Sequence, residues 1–399
     1  MWNEREDSDC RVIIVGAGPS GLATAACLSV LSIPYVVLER DDCIASLWRH
    51  RAYDRLSLHL AKRFCELPHF PHPSTAPTYI PKDRFLRYLD DYAARFRISP
   101  RLGSEVLSAV REAGPHRGWV VKVNNPDEGN PSSEFVGGFL VVATGENGEP
   151  HLPQFKGLGS FPGTIIHSSQ YKSGCTFRGK NVLVVGCGNS GMEIAFDLCN
   201  HGALPSISVR SEFHVASREI IHFGMLLLKY RLPLSLVDKI VLALCKLKYG
   251  DLSKYGIIRP KEGVFFLKAT EGRSAVIDVG TVKKIKTGEI QVLPGVSTIE
   301  GDRVVFSNGS SHYFDAIIFA TGYRSVANNW LKEDGQLLNA KGLPTRRFPN
   351  HWKGDNGVYC VGFGNRGLDG ISSDAKLVAN DIDMVLRAKA SMEKFNKGD

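Results

Sequence analysis

The chain has 399 residues, 43% hydrophobic and 23% charged, with 49 Lys+Arg against 41 Asp+Glu and a formal net charge of +8. That length suits two or three domains with sizeable cores, and the composition is that of an ordinary soluble globular protein, which excludes a disordered or low-complexity chain. Nucleic-acid binding would need a basic cluster interleaved with aromatics, and none is present, so no nucleic-acid partner is expected. The run Lys283-Lys284-Ile285-Lys286 reads as a solvated strand or loop edge.

Nine cysteines are scattered: Cys10, Cys27, Cys43, Cys65, Cys175, Cys187, Cys199, Cys245 and Cys360. No pair has Cys-x-x-Cys spacing. The pattern fits reduced thiols of a cytoplasmic protein and argues against a disulfide framework, a zinc site or a redox dithiol of the thioredoxin-reductase type. No metal is expected. Residues 1–10 are polar and acidic, unlike a signal or transit peptide. The most apolar stretch, 223–247, is interrupted by Lys229, Arg231, Pro233, Asp238, Lys239 and Lys246. A spanning helix needs ~20 nearly unbroken apolar residues, so no transmembrane segment is expected. A buried helical pair is the reading here, with peripheral association with the endoplasmic reticulum as the alternative.

Taken in chain order, residues 11–16 are a buried strand running into a glycine turn, 20–31 a helix, and 35–39 a second strand. Residues 64–81, rich in proline and aromatics, form an ordered irregular loop. The spacing of Phe85, Leu86, Leu89, Tyr92, Ala93 and Phe96 predicts a helix over 83–96. Alternation over 104–142 predicts a small antiparallel sheet with 124–133 as its loop. Phe139-Leu140-Val141-Val142-Ala143 then returns to a continuous apolar strand ending in Thr144-Gly145. The pattern restarts with a strand at 181–186, a helix at 190–200 and a strand at 207–210. Residues 316–322 echo the strand that ends at Thr144-Gly145, 357–362 are one more strand into glycine, and 373–390 close as a helix. No flexible linker is evident.

Two β-turn-α-β units thus carry two glycine fingerprints. In the first, Gly16-Ala17-Gly18-Pro19-Ser20-Gly21, the three glycines serve a tight turn, close approach of a pyrophosphate, and close helix–strand packing. The helix N-terminus offers its N–H groups to the phosphates. Glu39 closes the second strand, ~20 residues on, where a carboxylate accepts hydrogen bonds from ribose hydroxyls. The second fingerprint is Gly186-Cys187-Gly188-Asn189-Ser190-Gly191, and its following strand ends in Arg210-Ser211. A cation there suits a 2′-phosphate, so NADPH is preferred over NADH; a surface arginine is the alternative. Asn189 is a candidate for orienting nicotinamide or phosphate. Two nucleotide sites in one chain imply electron transfer between two cofactors. His50, His59, His69, His72 and His116 are scattered and read as structural or exposed.

Between the fingerprints stands Phe161-Pro162-Gly163-Thr164-Ile165-Ile166-His167-Ser168-Ser169-Gln170-Tyr171, which matches Phe-x-Gly-x-x-x-His-x-x-x-Tyr/Phe at every fixed position. The chain therefore resembles the class B flavin monooxygenases. More closely it is similar to the plant YUCCA family of indole-3-pyruvate monooxygenases of auxin synthesis. The blocks that carry this include Ser46-Leu47-Trp48, Tyr53-Asp54-Arg55-Leu56, Phe64-Cys65-Glu66-Leu67-Pro68, Ala143-Thr144-Gly145-Glu146-Asn147, Ser190-Gly191-Met192-Glu193, Arg259-Pro260-Lys261, Ala320-Thr321-Gly322-Tyr323-Arg324-Ser325 and Trp352-Lys353-Gly354.

The resemblance implies an α/β fold of two Rossmann-like dinucleotide-binding domains, the smaller inserted into the larger: 1–168 and 306–399 for FAD, 169–305 for NADPH. It implies an NADPH-dependent flavin monooxygenase that turns indole-3-pyruvate, NADPH and O₂ into indole-3-acetate, CO₂, NADP⁺ and water through a flavin C4a-(hydro)peroxide. Gly16, Ala17, Gly18, Pro19, Ser20, Gly21, Glu39, Thr144, Gly145 and Gly362 are then expected at FAD. Gly186, Cys187, Gly188, Asn189, Ser190, Gly191, Arg210, Ser211, Thr321 and Gly322 are the remaining cofactor-binding candidates. Trp48 and His59 are candidates for lining the flavin, with simple packing as the alternative, and Arg324 and Arg366 for holding a substrate carboxylate. The junction 362–373 is expected to aim a helix N-terminus at the flavin, and His167 and Tyr171 to order the connection between domains. The family pattern is broken at Ala61, where proline is usual, at Val215-Ala216-Ser217, and at Val326-Ala327-Asn328. Two other readings stand beside this one: an N/S-oxygenating or Baeyer–Villiger enzyme, and a catalytically silent NADPH-binding redox sensor.

Overall fold

A computed structural model of the chain describes residues 11–112, 118–124, 133–332 and 336–396; residues 1–10, His116 and most of the 124–133 loop lie outside the described residues. The chain forms two compact units. The first comprises Met1–His50, Lys62–Glu149 and Tyr323–Asp399, the second Arg51–Ala61 and Pro150–Gly322.

In the first unit a four-stranded sheet runs in the order Val358–Cys360, Phe139–Val142, Val12–Val15, Tyr35–Leu38, with every pairing parallel. The segments Val12–Val15, Phe139–Val142 and Val358–Cys360 are buried at every residue, as a parallel sheet covered on both faces requires. The helix Pro19–Val30 packs against the C-terminal helix Gly367–Asn396. The expected helix over 83–96 is Lys82–Arg95, which buries Phe85, Tyr88, Leu89, Tyr92 and Ala93. The expected antiparallel sheet is built from Glu105–Arg111, Trp119–Asn124 and Ser133–Gly137.

In the second unit five parallel strands lie in the order Gln291–Leu293, Leu204–Ser208, Asn181–Val185, Ala316–Phe319, Thr164–His167. The helix Asn189–Asn200 follows the central strand. Helices Arg218–Lys229 and Leu234–Tyr249 form the expected pair. This pair is only partly buried, with Phe223, Tyr230, Leu236 and Leu247 exposed. Among the described residues no helix is long and apolar enough to cross a membrane.

Three expectations shift. The compact units divide at 149/150 and 322/323, not at 168/169 and 305/306, because Thr164–His167 and Ala316–Phe319 pair with each other inside the second sheet. The strand expected to reach Arg210 ends at Ser208, so Arg210 and Ser211 stand exposed on the following loop. The run Lys283–Lys286 is on the short helix Thr281–Lys286, anchored by buried Val282 and Ile285.

Burial pushes the imidazoles of His72, His167 and His214 below the ordinary histidine range. A histidine depressed in the folded state is protonated first in the unfolded chain, so its stabilising effect is present above ~6.5 and is lost as pH falls below that value. Urea midpoints should be level near neutrality and decline from about pH 6.5 downward; stability that rises on acidification over that range would contradict it.

Candidate functional site

Parallel α/β sheets bind ligands outside the carboxyl ends of their strands. In the first unit three such ends lie side by side: Val15 leads to Gly16, Val142 to Ala143-Thr144-Gly145, and Cys360 to Gly362. Gly16 adopts φ +107°, and a Cβ there would lie 2.7 Å from the Ala143 carbonyl oxygen. A Cβ on Gly21 would lie 1.8 Å from the Gly16 carbonyl oxygen, so only glycine lets the helix start directly behind the turn. At Gly18, by contrast, a Cβ would meet no protein atom within 4 Å. Gly18 caps the helix without any side-chain hydrogen bond, Pro19 occupies its first turn, and no acid stands there to offset the positive dipole end. That opening is the cradle a pyrophosphate needs.

Glu39 follows the second strand and is 7% exposed. Its Oε2 accepts the Ala17 N–H at 2.7 Å and its Oε1 the Asp41 N–H at 3.0 Å. Burial raises the carboxyl above its ordinary range, and the two N–H groups oppose that rise. The side chain thus ties the glycine turn down, and each oxygen keeps lone-pair capacity for a ribose hydroxyl. Thr144 Oγ1 is buried with no hydrogen-bond partner, a state that costs about 1–3 kcal/mol unless a ligand fills it. Gly362 is pressed against Ser20, since a Cβ there would come 2.3 Å from Ser20 Oγ. The Gly362 N–H donates to buried Asp374 (3.2 Å), whose other oxygen lies 3.1 Å from His351 Nε2.

The second unit repeats this construction. Gly186 has φ +114° and sits under the Ala320 carbonyl as Gly16 sits under that of Ala143. A Cβ on Gly191 would lie 2.0 Å from the Gly186 carbonyl oxygen, and Gly188 is open. Ala320-Thr321-Gly322 therefore occupies the place that Ala143-Thr144-Gly145 holds in the first sheet, with Ala320 N–H on Val185 O and Ala143 N–H on Val15 O, both at 2.9 Å. Thr321 differs from Thr144 in having a partner, the His151 carbonyl. Asn189 Oδ1 accepts the Ile277 N–H at 2.7 Å, so this atom organises a neighbouring strand. Burial lifts the Cys187 thiol to about 11, so it stays protonated.

His167 and Tyr171 act inside the second unit. Ser169 N–H donates to His167 Nδ1 (3.1 Å), which leaves the ring proton on Nε2 to donate to the Gly322 carbonyl (3.1 Å). The tautomer is neutral, in line with its depressed pKa. Tyr171 O–H donates to Asp197 at 2.6 Å. His167 thus fastens the residue at which the chain leaves this unit.

Trp48, on Ser46–His50, packs edge-on against Phe85 at 4.8 Å. His59 belongs to the second unit, with Nε2 2.6 Å from Glu193 Oε1, and so does not share a unit with the first fingerprint. Arg366 is committed to Asp369 at 2.9 Å and to the face of Phe348. Arg324 is exposed. Of the departures, Val326 fills the space beside Gly148, where a Cβ would come 2.7 Å from its methyl. Ser217 caps Arg218–Lys229 by accepting the Ile220 N–H. The buried acids Glu193, Asp197 and Asp374 were missed in the sequence; an acid inside an otherwise apolar helical face was the available signal. Asp42, Cys43 and His50 also come together, with one potential ligand atom of each within 4.8 Å of the others and Cys43 half-buried. The eight described cysteines are free thiols.

The description "Flavin-binding monooxygenase-like" matches residues 9–352. The chain belongs to this family. It is 51% identical to the probable indole-3-pyruvate monooxygenase YUCCA10 of Arabidopsis thaliana over 94% of this chain and 97% of that one. It is 49% identical to the indole-3-pyruvate monooxygenase YUCCA1 of Oryza sativa subsp. japonica over 93% and 90%. Among solved structures, OTEMO in complex with FAD and NADP superposes with a TM-score of 0.72 at 14% identity, over 98% of this chain and 86% of that one, a likeness of fold.

Paired variants separate the glycine roles. Gly21→Ala should destabilise the protein by about 3 kcal/mol or more, through the clash with the Gly16 carbonyl. Gly18→Ala should leave the melting temperature of the flavin-free protein unchanged and lower flavin retention. Equal melting temperatures for both would refute the packing role of Gly21.

Proposed function

We propose that this flavin monooxygenase oxidises indole-3-pyruvate: indole-3-pyruvate + NADPH + H⁺ + O₂ → indole-3-acetate + CO₂ + NADP⁺ + H₂O. The observation that carries the reading is the presence of two complete glycine turns at the carboxyl ends of two parallel sheets, in a chain 51% identical to a relative named for this reaction. FAD fits the first unit, where the open backbone at Gly18 would hold the pyrophosphate, Glu39 would accept from the ribose and the unpartnered Thr144 hydroxyl would find a polar group. NADPH fits the second, with Gly188 open to the pyrophosphate and exposed Arg210 for the 2′-phosphate.

A flavin supplies two-electron chemistry with both a nicotinamide and O₂. The α-keto acid is electrophilic at its keto carbon and loses its carboxylate as CO₂, so no strong protein acid or base is needed. The chain's task is to hold the nucleotides, orient the keto acid and exclude water. Arg366 being engaged with Asp369, Arg324 is the arginine proposed for the substrate carboxylate. Cytoplasmic residence belongs to the same reading.

The test is anaerobic. Purified protein should be yellow, NADPH should bleach it, and admission of O₂ with indole-3-pyruvate should yield indole-3-acetate and CO₂ in equal amounts. S- or N-oxide products from other substrates with no CO₂ from the keto acid would overturn the assignment, and a colourless folded protein would favour the redox sensor. Arg210→Ala should raise KM for NADPH about 10–100-fold, the worth of a charge-assisted phosphate contact, with little change for NADH; equal effects on both nucleotides would remove the 2′-phosphate role.

A further inference from the structure

The segment Arg51–Ala61 belongs to the second unit, although its neighbours on both sides in sequence belong to the first. One stripe of the helix Asn189–Asn200 holds it. Ser190, Glu193 and Asp197 recur at the spacing that puts side chains on a single helix face. Glu193, 1% exposed, lies with Oε1 2.6 Å from His59 Nε2. The Glu193 carboxylate and the Ser190 side chain also act on the Tyr53 phenol, the first raising and the second lowering its pKa. Further along the helix, the Arg55 guanidinium sits 4.5 Å above the Phe196 ring, and Tyr53 stands edge-on to Tyr171, whose hydroxyl reaches Asp197. Burial, and then the Glu193 charge, push the Tyr53 phenol well above its ordinary range, so it stays protonated and is a donor beside the carboxylate.

We propose that Tyr53, His59 and Glu193 are positioning residues for the nicotinamide nucleotide. They hold the first turns of this helix in register, and through Ser190 they set the phosphate-facing backbone at 188–191 without touching nucleotide or flavin themselves. The inference rests on the reading of the second fingerprint as the NADPH site. Its physical basis is that a carboxylate this deep persists only when paired and hydrogen-bonded. Its partners come from one short strap, so helix and strap are locked together. Ser190 belongs to both the glycine turn and the lock, so a loosened lock displaces the turn. Anion binding by fixed backbone donors is sensitive to such displacement.

The experiment compares holoprotein variants by equilibrium titration with NADP⁺, by KM and kcat for NADPH and NADH, and by flavin content. Tyr53→Phe, which removes one hydroxyl, and Glu193→Gln should each weaken NADP⁺ about tenfold, the loss expected for part of a charge-assisted hydrogen bond. KM should rise for NADPH and NADH alike, because the shared pyrophosphate cradle is affected, with kcat at saturation and flavin content held within about twofold. His59→Gln, which keeps an N–H donor, should retain the affinity that His59→Ala loses. A purely structural strap would lower melting temperatures and leave NADP⁺ affinity unchanged, and that result in Tyr53→Phe overturns the proposal even where Glu193→Gln fails to fold. Failure of the wild-type holoprotein to bind NADP⁺ would instead sink the NADPH reading of the second fingerprint.

Discussion

Each nucleotide-type turn in this protein exists because a helix begins less than a side chain's width from a strand. A methyl group at Gly21 or Gly191 would sit 1.8 or 2.0 Å from the carbonyl oxygen of the first glycine of its own turn. Those distances are far inside van der Waals contact, so the two backbones are packed against each other without any side chain between them. The consequence is directional. The helix N-terminus, uncapped by side chains and free of acids, is aimed at the space beyond the strand end, where Gly18 and Gly188 leave room. The neighbouring Ala-Thr-Gly segments, and in the first unit Gly362, are placed relative to that turn.

The two units share the construction and diverge in the groups that distinguish one dinucleotide from another. In the first, Glu39 is buried and pins the turn through Ala17 while keeping acceptor capacity. In the second, the comparable place after the next strand is taken by exposed Arg210. A buried carboxylate suits ribose hydroxyls and an exposed guanidinium suits a phosphate dianion. The paired threonines diverge too: Thr321 is satisfied by the His151 carbonyl, whereas Thr144 has a buried hydroxyl without a partner. The two turns thus share a backbone and differ in a few polar atoms.

Around both turns, buried polar groups do the fastening. Asp374 holds the Gly362 N–H, Asp197 holds Tyr171 and the Gly174 N–H, and His167 holds the Gly322 carbonyl through a neutral ring. Such groups are costly to bury unless every partner is in place, and the cost of losing one partner is what makes the loops well defined.

Much of this was legible in the residues alone. The short, largely β-branched apolar runs at 12–15, 139–142, 182–185 and 316–319, each ending at a glycine turn or an Ala-Thr-Gly segment, read as buried parallel strands, and the glycine spacing with Glu39 and Arg210 reports local backbone geometry, which depends on near neighbours in sequence. The family resemblance rests on the same local blocks. What the tertiary structure decided is everything that joins distant segments. Thr164–His167 pairs with Ala316–Phe319 and moves the unit boundaries; Arg51–Ala61 leaves its sequence neighbours, and His59 with it, for Glu193; Asn189 spends its oxygen on Ile277; and Arg210 lies two residues beyond the end of its strand. Spacing and periodicity carry no information about which buried acid finds which donor more than a hundred residues away, because that choice is made by packing and hydrogen-bond satisfaction in the folded chain.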